Sequence, residues 1–516
     1  MRCALLKKMN AEQQAIVSAP ASPLLVLAVA GAGKTRVVVE RAKALFGSVL
    51  VCTFSKPAAE EIKRRISSAS VKVATAHSLA YHLLHRPKID EVRFKFIADR
   101  VRRDHHRHDI ELEELLEAIS EIKSHLTPHP DPSIASLYRA IEAKRIDEGV
   151  MTFDDLLLEA AHFNVEHHSL QFDHVIQDEA QDQNEVQEAF ITSCVRADSY
   201  MAVGDPWQTI MEFRGARPEF ISETNFKRRW PGAVVYRLST NYRSGSAIVT
   251  AADAISEKRA TAHRAGGVVY FTKFPDVVSE ARAVAARHPT GAILFRRHYQ
   301  SGVLEVALRQ ENVPFHSNEP YCSLGKVKPL LSYLWLAASR ATLTDVRQSI
   351  NKPFRFVSSK FSEQLGASPP AGCSWQDWVM RNGGSDKAIQ WARLVDRLIL
   401  LAESAAPVVI VKALIAGLGL ENSQGLLDVA TMYEDLDDLL DDLSAEHDRK
   451  GVKLSSIHAA KGLEWGAVHF VGWEKKPQRW DEEAKCYVTP PEEMRLNYVA
   501  FTRAKDELHV SSVEGE

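Results

Sequence analysis

The stretch LLVLAVAGAGKTRVVVERAKAL (residues 24–45) sets the expected architecture. Its first six residues form a short, continuous apolar run, which predicts a buried parallel strand. The small residues of GAG (31–33) tolerate unusual backbone angles and let a ligand come close to the backbone. From Lys34 onward the apolar residues recur three and four positions apart, which indicates a helix. Strand, small-residue loop and helix together are typical of a phosphate-binding loop.

This loop supplies the groups that hold the phosphates of a nucleotide. The loop amides are expected to point at the β- and γ-phosphates, the Lys34 ammonium adds positive charge there, and the Thr35 hydroxyl binds Mg²⁺. The usual pattern starts with glycine, whereas this chain has Ala28. The alternative is a strand-to-helix turn that binds nothing. The nucleotide-binding interpretation rests on Ala28, Ala30, Gly31, Ala32, Gly33, Lys34 and Thr35.

A second apolar segment ends in two carboxylates. FDHVIQDEAQD (172–182) contains the candidate strand HVIQ, and Asp178 and Glu179 follow it. A P-loop ATPase needs one carboxylate for Mg²⁺ and a group that orients the attacking water. We predict that Asp178 holds Mg²⁺ and that Glu179 is the general base. Alone, the pattern fits an acidic helix N-terminus equally well; with the phosphate loop it predicts ATP hydrolysis.

A third segment, MAVGDPWQTIMEFRGA (201–216), combines a strand start with polar and aromatic residues. Gln208 is a candidate sensor of the γ-phosphate. Phe213 is a candidate platform for a nucleic-acid base, since stacking on aromatic rings tolerates any base. The alternative for Phe213 is a core phenylalanine.

With these motifs in order, the sequence resembles the UvrD/Rep-like superfamily 1 DNA helicases, as a compact member. The resemblance implies an α/β fold with two RecA-like P-loop lobes built on parallel sheets, each with a mainly helical insertion. It is carried by MNAEQQAIV (9–17), CTFSKPAAEEIKRRI (52–66), ATAHSLAYHLL (74–84), DEAQD (178–182), GDPWQTIMEFRGA (204–216), LSTNYRSGSAIV (238–249), GAILFRRHYQSGVLEVALRQENVPF (291–315), LSSIHAAKGLEWGAVHFVG (454–472) and EEMRLNYVAFTRAKDELHVSS (492–512).

The resemblance implies the remaining nucleotide contacts. Gln13 is placed to read adenine, and Tyr242 and Arg36 are placed to stack on its two faces. Glu464, in KGLE, is placed to bind the ribose.

Two arginines are implied as fingers on the γ-phosphate, Arg243 in NYR and Arg503 in TRA. Charge develops on the transferred phosphoryl group, and such an arginine is worth about 10³–10⁵ in rate. Taken alone, each would be read as a surface salt bridge. We expect both to belong to a second set of strands, VVYRLS, AILF and VHFVG, with ATP in a cleft between the lobes that closes on binding and opens on hydrolysis.

The resemblance also implies a track for single-stranded DNA and single-strand/duplex junctions. Aromatic side chains would stack on bases, while arginine and histidine would contact phosphates. Movement from 3′ to 5′ follows from the resemblance. The candidate contacts are Phe54, His77, Phe213 and Arg214 in the first lobe, and Arg296 and His458 in the second.

The expected domain organisation has two ATPase lobes with two helical insertions. The first insertion carries a basic cluster of arginines and histidines at 100–108, which is either a phosphate-binding face or a solvated helix face. The second ends in an acidic helix at 433–448 with a leucine stripe, either a surface helix or a docking face. The expected ranges are 1–85 with 166–235 for the first lobe, 86–165 for its insertion, 236–325 with 449–516 for the second lobe, and 326–448 for its insertion.

The bulk composition limits the class of protein. The 516 residues are 45% hydrophobic with a net charge of −3, so a nucleic-acid surface must be a local patch. The six cysteines have no CxxC spacing, which argues against zinc or a disulfide framework and fits a cytoplasmic protein. We expect no signal peptide, and no run approaches the ~20 apolar residues of a membrane helix.

These observations predict an ATP-dependent DNA helicase or translocase, with ATP and Mg²⁺ as cofactors and an ATPase stimulated by single-stranded DNA. One alternative is the motor or DNA-sensing subunit of a nuclease or defence complex with little unwinding of its own. Another is a nucleic-acid-binding switch. A P-loop small-molecule kinase is disfavoured because it needs neither the two arginines nor a second lobe.

Overall fold

The structure is a computed structural model, and it divides into two compact units. The first unit contains Met1–Gly266 and Gln478–Thr502, and the second contains Gly267–Pro477 and Arg503–Glu516. The structure describes residues 9–66, 68–107, 109–127, 129–196, 199–212, 215–256, 260–352, 357–420, 423–445, 450–474, 479–481 and 485–514.

A six-stranded parallel sheet forms the centre of the first unit. Its strand order is β3-β2-β4-β5-β1-β6, so the chain crosses over between strands that are not consecutive. The apolar runs of the four inner strands are buried on both faces, as a parallel sheet covered by helices requires, whereas the two edge strands are partly exposed. The strands are β1 (Leu24–Ala28), β2 (Val49–Cys52), β3 (Val71–Ala74), β4 (His174–Gln177), β5 (Tyr200–Gly204) and β6 (Val234–Leu238).

Helices and two small strand pairs complete this unit. The parallel pair is β7 (Thr240–Gly245) with β8 (Thr261–Arg264), and the antiparallel pair is β14 (Arg479–Asp481) with β15 (Cys486–Val488). The helices are α1 (Ala11–Ser18), α2 (Lys34–Ala44), α3 (Lys56–Arg65), α4 (Ala76–Leu83), α5 (Glu91–Asp104), α6 (Leu112–His125), α7 (Pro132–Asp147), α8 (Phe153–His167), α9 (Glu185–Ser193), α10 (Glu223–Arg229), α11 (Ser246–Ser256) and α22 (Pro491–Phe501).

The strand–loop–helix order predicted at the P-loop is confirmed by β1 and α2, and HVIQ is β4. The assignment of VVYRLS to a second set of strands is wrong. The strand β6 pairs in parallel with β1, from Leu24 opposite Val234 to Ala28 opposite Leu238. Residues 478–502, which we expected in the second lobe, likewise lie in the first unit.

The predicted helical insertion contains α5 to α8. The helices α5, α6 and α7 enclose an apolar core of their own, whereas the buried apolar residues of α8 pack with those of the first sheet. A buried charged cluster lies beside this core. The Lys123 ammonium donates a hydrogen bond to Asp155 Oδ1 at 2.7 Å, and both side chains are about 1% exposed. Arg145 Nε donates to Glu142 Oε2 at 2.9 Å. Burial alone would raise the pKa of Asp155, but Lys123 and Thr152 lower it, so the carboxylate is charged and paired.

We predict that Lys123→Ala strongly destabilises this unit. Removing one partner of a buried ion pair leaves the other charge uncompensated, which typically costs about 3–5 kcal/mol. Lys144→Ala is the matched control, because Lys144 is partly exposed and its bond to Asp147 lies at the surface; there we expect about 0–1 kcal/mol. Urea unfolding monitored by circular dichroism measures both. Equal losses would contradict the assigned role of Lys123.

The basic cluster at 100–108 consists largely of local ion pairs. Arg102 and Arg103 both pair with Asp99, at 2.9 and 2.8 Å, and Arg100 approaches Asp104. Arg107 pairs with the adjacent Asp109. These contacts favour the solvated helix face over a phosphate-binding face. His108 lies outside the described residues.

A second six-stranded parallel sheet forms the centre of the second unit. Its order is β11-β12-β10-β13-β16-β9. The predicted strands AILF and VHFVG are both present in it, as β10 and β13. Together with the first sheet, this confirms the predicted α/β class with two parallel-sheet lobes. The strands are β9 (Val268–Phe274), β10 (Ala292–Phe295), β11 (Phe315–Ser317), β12 (Val452–Ser456), β13 (Trp465–Val471) and β16 (Ala504–Val513).

Within the residues of this unit that the structure describes, ten helices pack on and beside the sheet. The last of the ten is the predicted acidic helix, and its leucines 436, 439, 440 and 443 are buried in the core. Arg340 bridges two of its aspartates, so the amphipathic surface-helix interpretation is favoured. The helices are α12 (Val277–Ala285), α13 (His298–Gln310), α14 (Lys328–Ala337), α15 (Leu343–Ile350), α16 (Ser359–Leu365), α17 (Trp375–Arg381), α18 (Asp386–Ala402), α19 (Pro407–Leu418), α20 (Gln424–Ala430) and α21 (Leu436–Ser444).

Two further expectations concern cysteines and membranes. The five cysteines within the described ranges are all free thiols. None of the helices in the described part of the chain is both long and apolar enough to span a bilayer.

Candidate active site

The phosphate loop joins the carboxyl end of β1 to the N-terminus of α2. Gly31 and Gly33 have φ angles of +69° and +81°, which disfavour any residue with a side chain. Lys34 is the first residue of α2, and Thr35 lies in its first turn. Ala28 ends β1, so the position usually held by glycine is a strand residue here. The loop therefore presents the amides of a helix N-terminus at the sheet edge.

Lys34 is held against the carboxylates that follow β4. Its Nζ lies 3.0 Å from Glu179 Oε2. Burial would lower the pKa of Lys34, but the charges of Glu179, Asp205 and Asp178 outweigh burial and raise it. Burial, reinforced by Glu179, raises the pKa of Asp178. Glu179 itself has a φ of +51°, an uncommon backbone state for glutamate that turns its side chain toward the loop.

Gln208 lies beside Asp205, one of the three carboxylates whose charge raises the pKa of Lys34. It sits in a 3-10 turn directly after β5, and its Nε2 donates to Asp205 Oδ2 at 2.9 Å. Both side chains are buried. The predicted sensor therefore lies at the carboxyl end of the first sheet, one strand away from the candidate base, since β4 and β5 are neighbours.

The NYR segment packs directly on the phosphate loop. Tyr242 N donates to Gly31 O at 3.0 Å, and a Cβ placed on Gly31 would lie 2.7 Å from Arg243 Cβ. Arg243 Nη1 donates to Thr502 O at 3.0 Å. Arg243 is therefore part of the first unit, which corrects its expected place in the second lobe. Because β6 pairs with β1, the strand β7 that comes next in the chain lies beside the phosphate loop.

The predicted adenine contacts lie in the first unit, whereas the predicted ribose contact lies in the second. Gln13 Nε2 donates to Ala32 O at 3.1 Å, so Gln13 lies against the phosphate loop. Arg36 follows Thr35 in α2. The Tyr242 ring lies 4.7 Å from the ring of His263. Of the whole predicted site, the first unit thus gathers Gln13, Ala28, Ala30 to Arg36, Asp178, Glu179, Gln208, Tyr242 and Arg243.

Arg503 and Glu464 belong to the second unit. Arg503 is about 1% exposed, and its Nη1 donates to Leu463 O at 3.2 Å. Glu464 pairs with Lys505 at 2.7 Å. The KGLE and TRA motifs are therefore neighbours, although about 40 residues separate them in the sequence.

The predicted DNA contacts are divided between the units. Phe54 follows β2 directly, and His77 lies in the first turn of α4 with its ring 6.2 Å from the ring of Phe153. Burial lowers the pKa of His77, which favours the uncharged form of its ring. Arg296 follows β10, and His458 follows β12. Phe213 and Arg214 lie outside the described residues.

Sequence reasoning missed several residues around the loop. The Tyr498 hydroxyl accepts a hydrogen bond from Ala30 N at 3.3 Å and lies 3.5 Å from Asp205 Oδ2. Arg495 Nε donates to Thr209 O at 2.8 Å. Both lie on α22, one turn apart, just before TRA. Their helical spacing marks one face of α22, but nothing in the sequence says that this face meets the phosphate loop.

This donor set fits a magnesium nucleotide. The loop offers backbone amides and one lysine for phosphate oxygens, and Thr35 and Asp178 offer oxygen ligands of the kind Mg²⁺ takes. Within the described ranges, no cluster of three or more His, Cys, Asp or Glu could hold a metal without help. A Mg²⁺ that takes most of its ligands from phosphate and water is compatible with that finding.

The phosphate loop lies at the carboxyl end of a parallel sheet, and its lysine pairs with an acidic residue that follows β4, two strands away from β1. This arrangement defines the class of P-loop nucleotide hydrolases. Comparison with known proteins narrows the class. Residues 9–130 and 104–228 match the UvrD/REP helicase N-terminal domain, and residues 412–515 match the UvrD-like helicase C-terminal domain. Together the matches cover more than half of the chain.

Similar curated proteins extend over nearly the whole chain. DNA helicase II of Escherichia coli (strain K12) is 28% identical over 626 aligned residues, covering 99% of this chain and 85% of that protein. The ATP-dependent DNA helicase PcrA of Staphylococcus epidermidis is 25% identical, covering 99% and 84%. The chain belongs to the UvrD-like helicase family, whose members are ATP-hydrolysing DNA helicases.

Proposed function

We propose that this protein is an ATP-driven translocase on single-stranded DNA that moves from 3′ to 5′ and unwinds duplex ahead of it. The observation that carries the proposal is the Lys34–Glu179 pair at the mouth of the phosphate loop, in a chain of the UvrD-like family. It is supported by the second parallel-sheet unit, which a simple phosphotransferase does not need. A protein partner such as a nuclease stays a prediction from the sequence.

In the proposed reaction, each residue near the loop has one task. Lys34 exchanges its pairing with Glu179 for phosphate oxygens when nucleotide enters, which frees the carboxylate. Glu179 then accepts a proton from the attacking water. Thr35 and Asp178 would hold Mg²⁺, which would supply positive charge to neutralise the phosphates. Arg243 and Arg503 stabilise the negative charge that develops on the transferred phosphoryl group.

The proposed coupling to DNA runs through Gln208. Its amide is fixed by Asp205, so loss of the γ-phosphate contact changes a residue that is tied to the strand β5. The segment that follows, up to Glu212 and Gly215, is where the sequence places the DNA-stacking residue. Loss of the γ-phosphate can therefore change how this segment binds a DNA base, because the sensor and the predicted stacking residue lie in the same short stretch of sequence.

Tailed duplexes test the function and its polarity. A duplex with a 3′ single-stranded tail and one with a 5′ tail are incubated with ATP, and strand release is followed by gel electrophoresis. We expect release from the 3′-tailed substrate and none without ATP. Release from the 5′-tailed substrate alone would overturn the polarity, and ATP-independent release from both would overturn the motor function.

We predict that Arg503→Ala lowers kcat for ATP by about 10³-fold while KM changes little. An arginine finger acts mainly on the charge of the transition state, and such residues are worth about 10³–10⁵ in rate. Because Arg503 is buried and bonds to Leu463 O, thermal melting must show that the variant is folded; Arg503→Lys preserves the charge and serves as a second variant. Parallel losses in kcat and in ATP affinity would argue against the finger role.

A further inference from the structure

The buried side-chain amide of Gln181 connects the candidate base, Glu179, to the segment after β5 that contains the candidate sensor, Gln208. Gln181 lies in the 3-10 turn Ala180–Asp182, and its side chain has no exposed surface. Its Nε2 donates to Glu179 Oε2 at 2.6 Å, and its Oε1 accepts from Asp205 N at 3.1 Å. Both ends of the amide are therefore engaged, one with a carboxylate and the other with a backbone N–H.

This pattern fixes the amide in one orientation. A carboxylate can only accept hydrogen bonds and a backbone N–H can only donate them. A flipped amide would place oxygen against oxygen at Glu179 and nitrogen against nitrogen at Asp205. The Gln181 side chain thus has one acceptable arrangement, in which it also holds one oxygen of the Glu179 carboxylate.

The space around Gln181 is as closely defined as its hydrogen bonds. Gly204, the last residue of β5, faces the amide, and a Cβ at this position would lie 2.5 Å from Gln181 Oε1. The φ of Gly204 is not in the left-handed region, so its backbone would accept alanine. Glycine is required here because of the close approach. The Gly204→Ala change therefore tests the position of the amide without removing it.

The connection continues to the candidate sensor. Asp205, whose N–H is held by Gln181, accepts a hydrogen bond from Gln208 through its carboxylate at 2.9 Å. We propose that Gln181 is a positioning residue, which orients Glu179 for proton abstraction and ties that carboxylate to the segment of Gln208. The inference rests on the proposed function, because it takes Glu179 as the general base.

The orientation of Glu179 matters because both Lys34 and Gln181 hold its carboxylate in this structure. Lys34 and Gln181 both bond to Oε2. When Lys34 turns to phosphate, Gln181 still donates its hydrogen bond to the carboxylate and keeps its orientation. Without it, the base would sample positions from which it cannot reach the attacking water, and a displacement of about 1 Å can cost about 10²-fold in rate.

The test compares Gln181→Ala, Gln181→Glu and Gly204→Ala in steady-state ATP hydrolysis. We expect kcat to fall by about 10- to 100-fold in each, with KM within about threefold of wild type, because the base is misplaced while the phosphate loop is intact. Gln181→Glu retains the shape and the acceptor for Asp205 N but loses the donor to Glu179. Gln171→Ala is the control: its amide bonds to Ser193 O, away from the site, and should leave kcat unchanged.

A second measurement separates positioning from a purely structural role. In a Glu179→Gln background, adding Gln181→Ala should lower the residual hydrolysis by less than twofold, because residues that act as a unit are not additive. A tenfold further loss, or a rise in KM equal to the fall in kcat, would overturn the inference. If Glu179→Gln itself hydrolyses ATP normally, the proposed base is wrong; if it is inactive while Gln181→Ala and Gly204→Ala match wild type, only this inference fails.

Discussion

Lys34→Ala abolishes ATP hydrolysis in this account. The Lys34 side chain is nearly buried at the end of the phosphate loop. Three neighbouring carboxylates raise its pKa against the effect of burial, so the ammonium is protonated. Without it, the phosphates lose a fixed positive charge, and the Glu179 carboxylate loses its ion pair. Removing one electrostatic donor to a transition state typically costs about 10²–10³-fold. A coupled phosphate-release assay, sensitive to about 10³-fold below wild type, measures the loss.

The control for this variant is Lys43→Ala on the same helix. Lys43 pairs with Glu40 at the surface, one helical turn from its partner, and should leave the rate of hydrolysis unchanged. Binding of single-stranded DNA should remain measurable for Lys34→Ala, because the predicted DNA residues lie elsewhere. Hydrolysis within tenfold of wild type would contradict the assignment of the phosphate loop.

Glu179→Gln separates nucleotide binding from hydrolysis. The amide can still accept a hydrogen bond from Lys34, but it cannot take a proton from water. A general base contributes about 10²–10⁴-fold, so we expect kcat to fall by that factor while ATP stays bound. Single-turnover hydrolysis and binding of a fluorescent ATP analogue measure the two effects. In the presence of ATP, the trapped enzyme should also hold single-stranded DNA more tightly.

Glu60→Gln, an exposed carboxylate on α3 in the same unit, provides the comparison. It should match wild type in both assays. A Glu179→Gln variant that loses ATP binding as severely as it loses hydrolysis would show that Glu179 shapes the pocket instead of acting as the base.

Local sequence patterns were sufficient for the elements that hold phosphate. A short, continuous apolar run that ends at a small-residue loop is typical of a strand buried on both faces, and GAGKT places two left-handed glycines before a helix, so β1, the loop and α2 were predictable. The same holds for HVIQ followed by Asp178 and Glu179. In both places the candidate functional residues directly follow the short apolar segment whose pattern predicts the strand.

Long-range pairing was not predictable in the same way. VVYRLS has the β-branched and aromatic residues of a strand, but nothing in it shows that β1 is its partner. Tyr242 and Arg243 were consequently expected in the wrong lobe. The amide of Gln181 and the hydroxyl of Tyr498 are buried polar groups, and each bonds to a partner more than 20 residues away that the sequence does not reveal. The charges at 100–107 are a reverse case, since the arginines are explained by acidic neighbours in their own segment.

The central claim is that ATP hydrolysis at the Lys34–Glu179 site drives movement on single-stranded DNA, and one measurement tests it most directly. Steady-state ATP hydrolysis is compared with and without a saturating single-stranded oligonucleotide, with an equal concentration of blunt duplex as reference. We predict that single-stranded DNA raises kcat at least tenfold and that the duplex does not. Hydrolysis at the same rate under all three conditions would contradict the account.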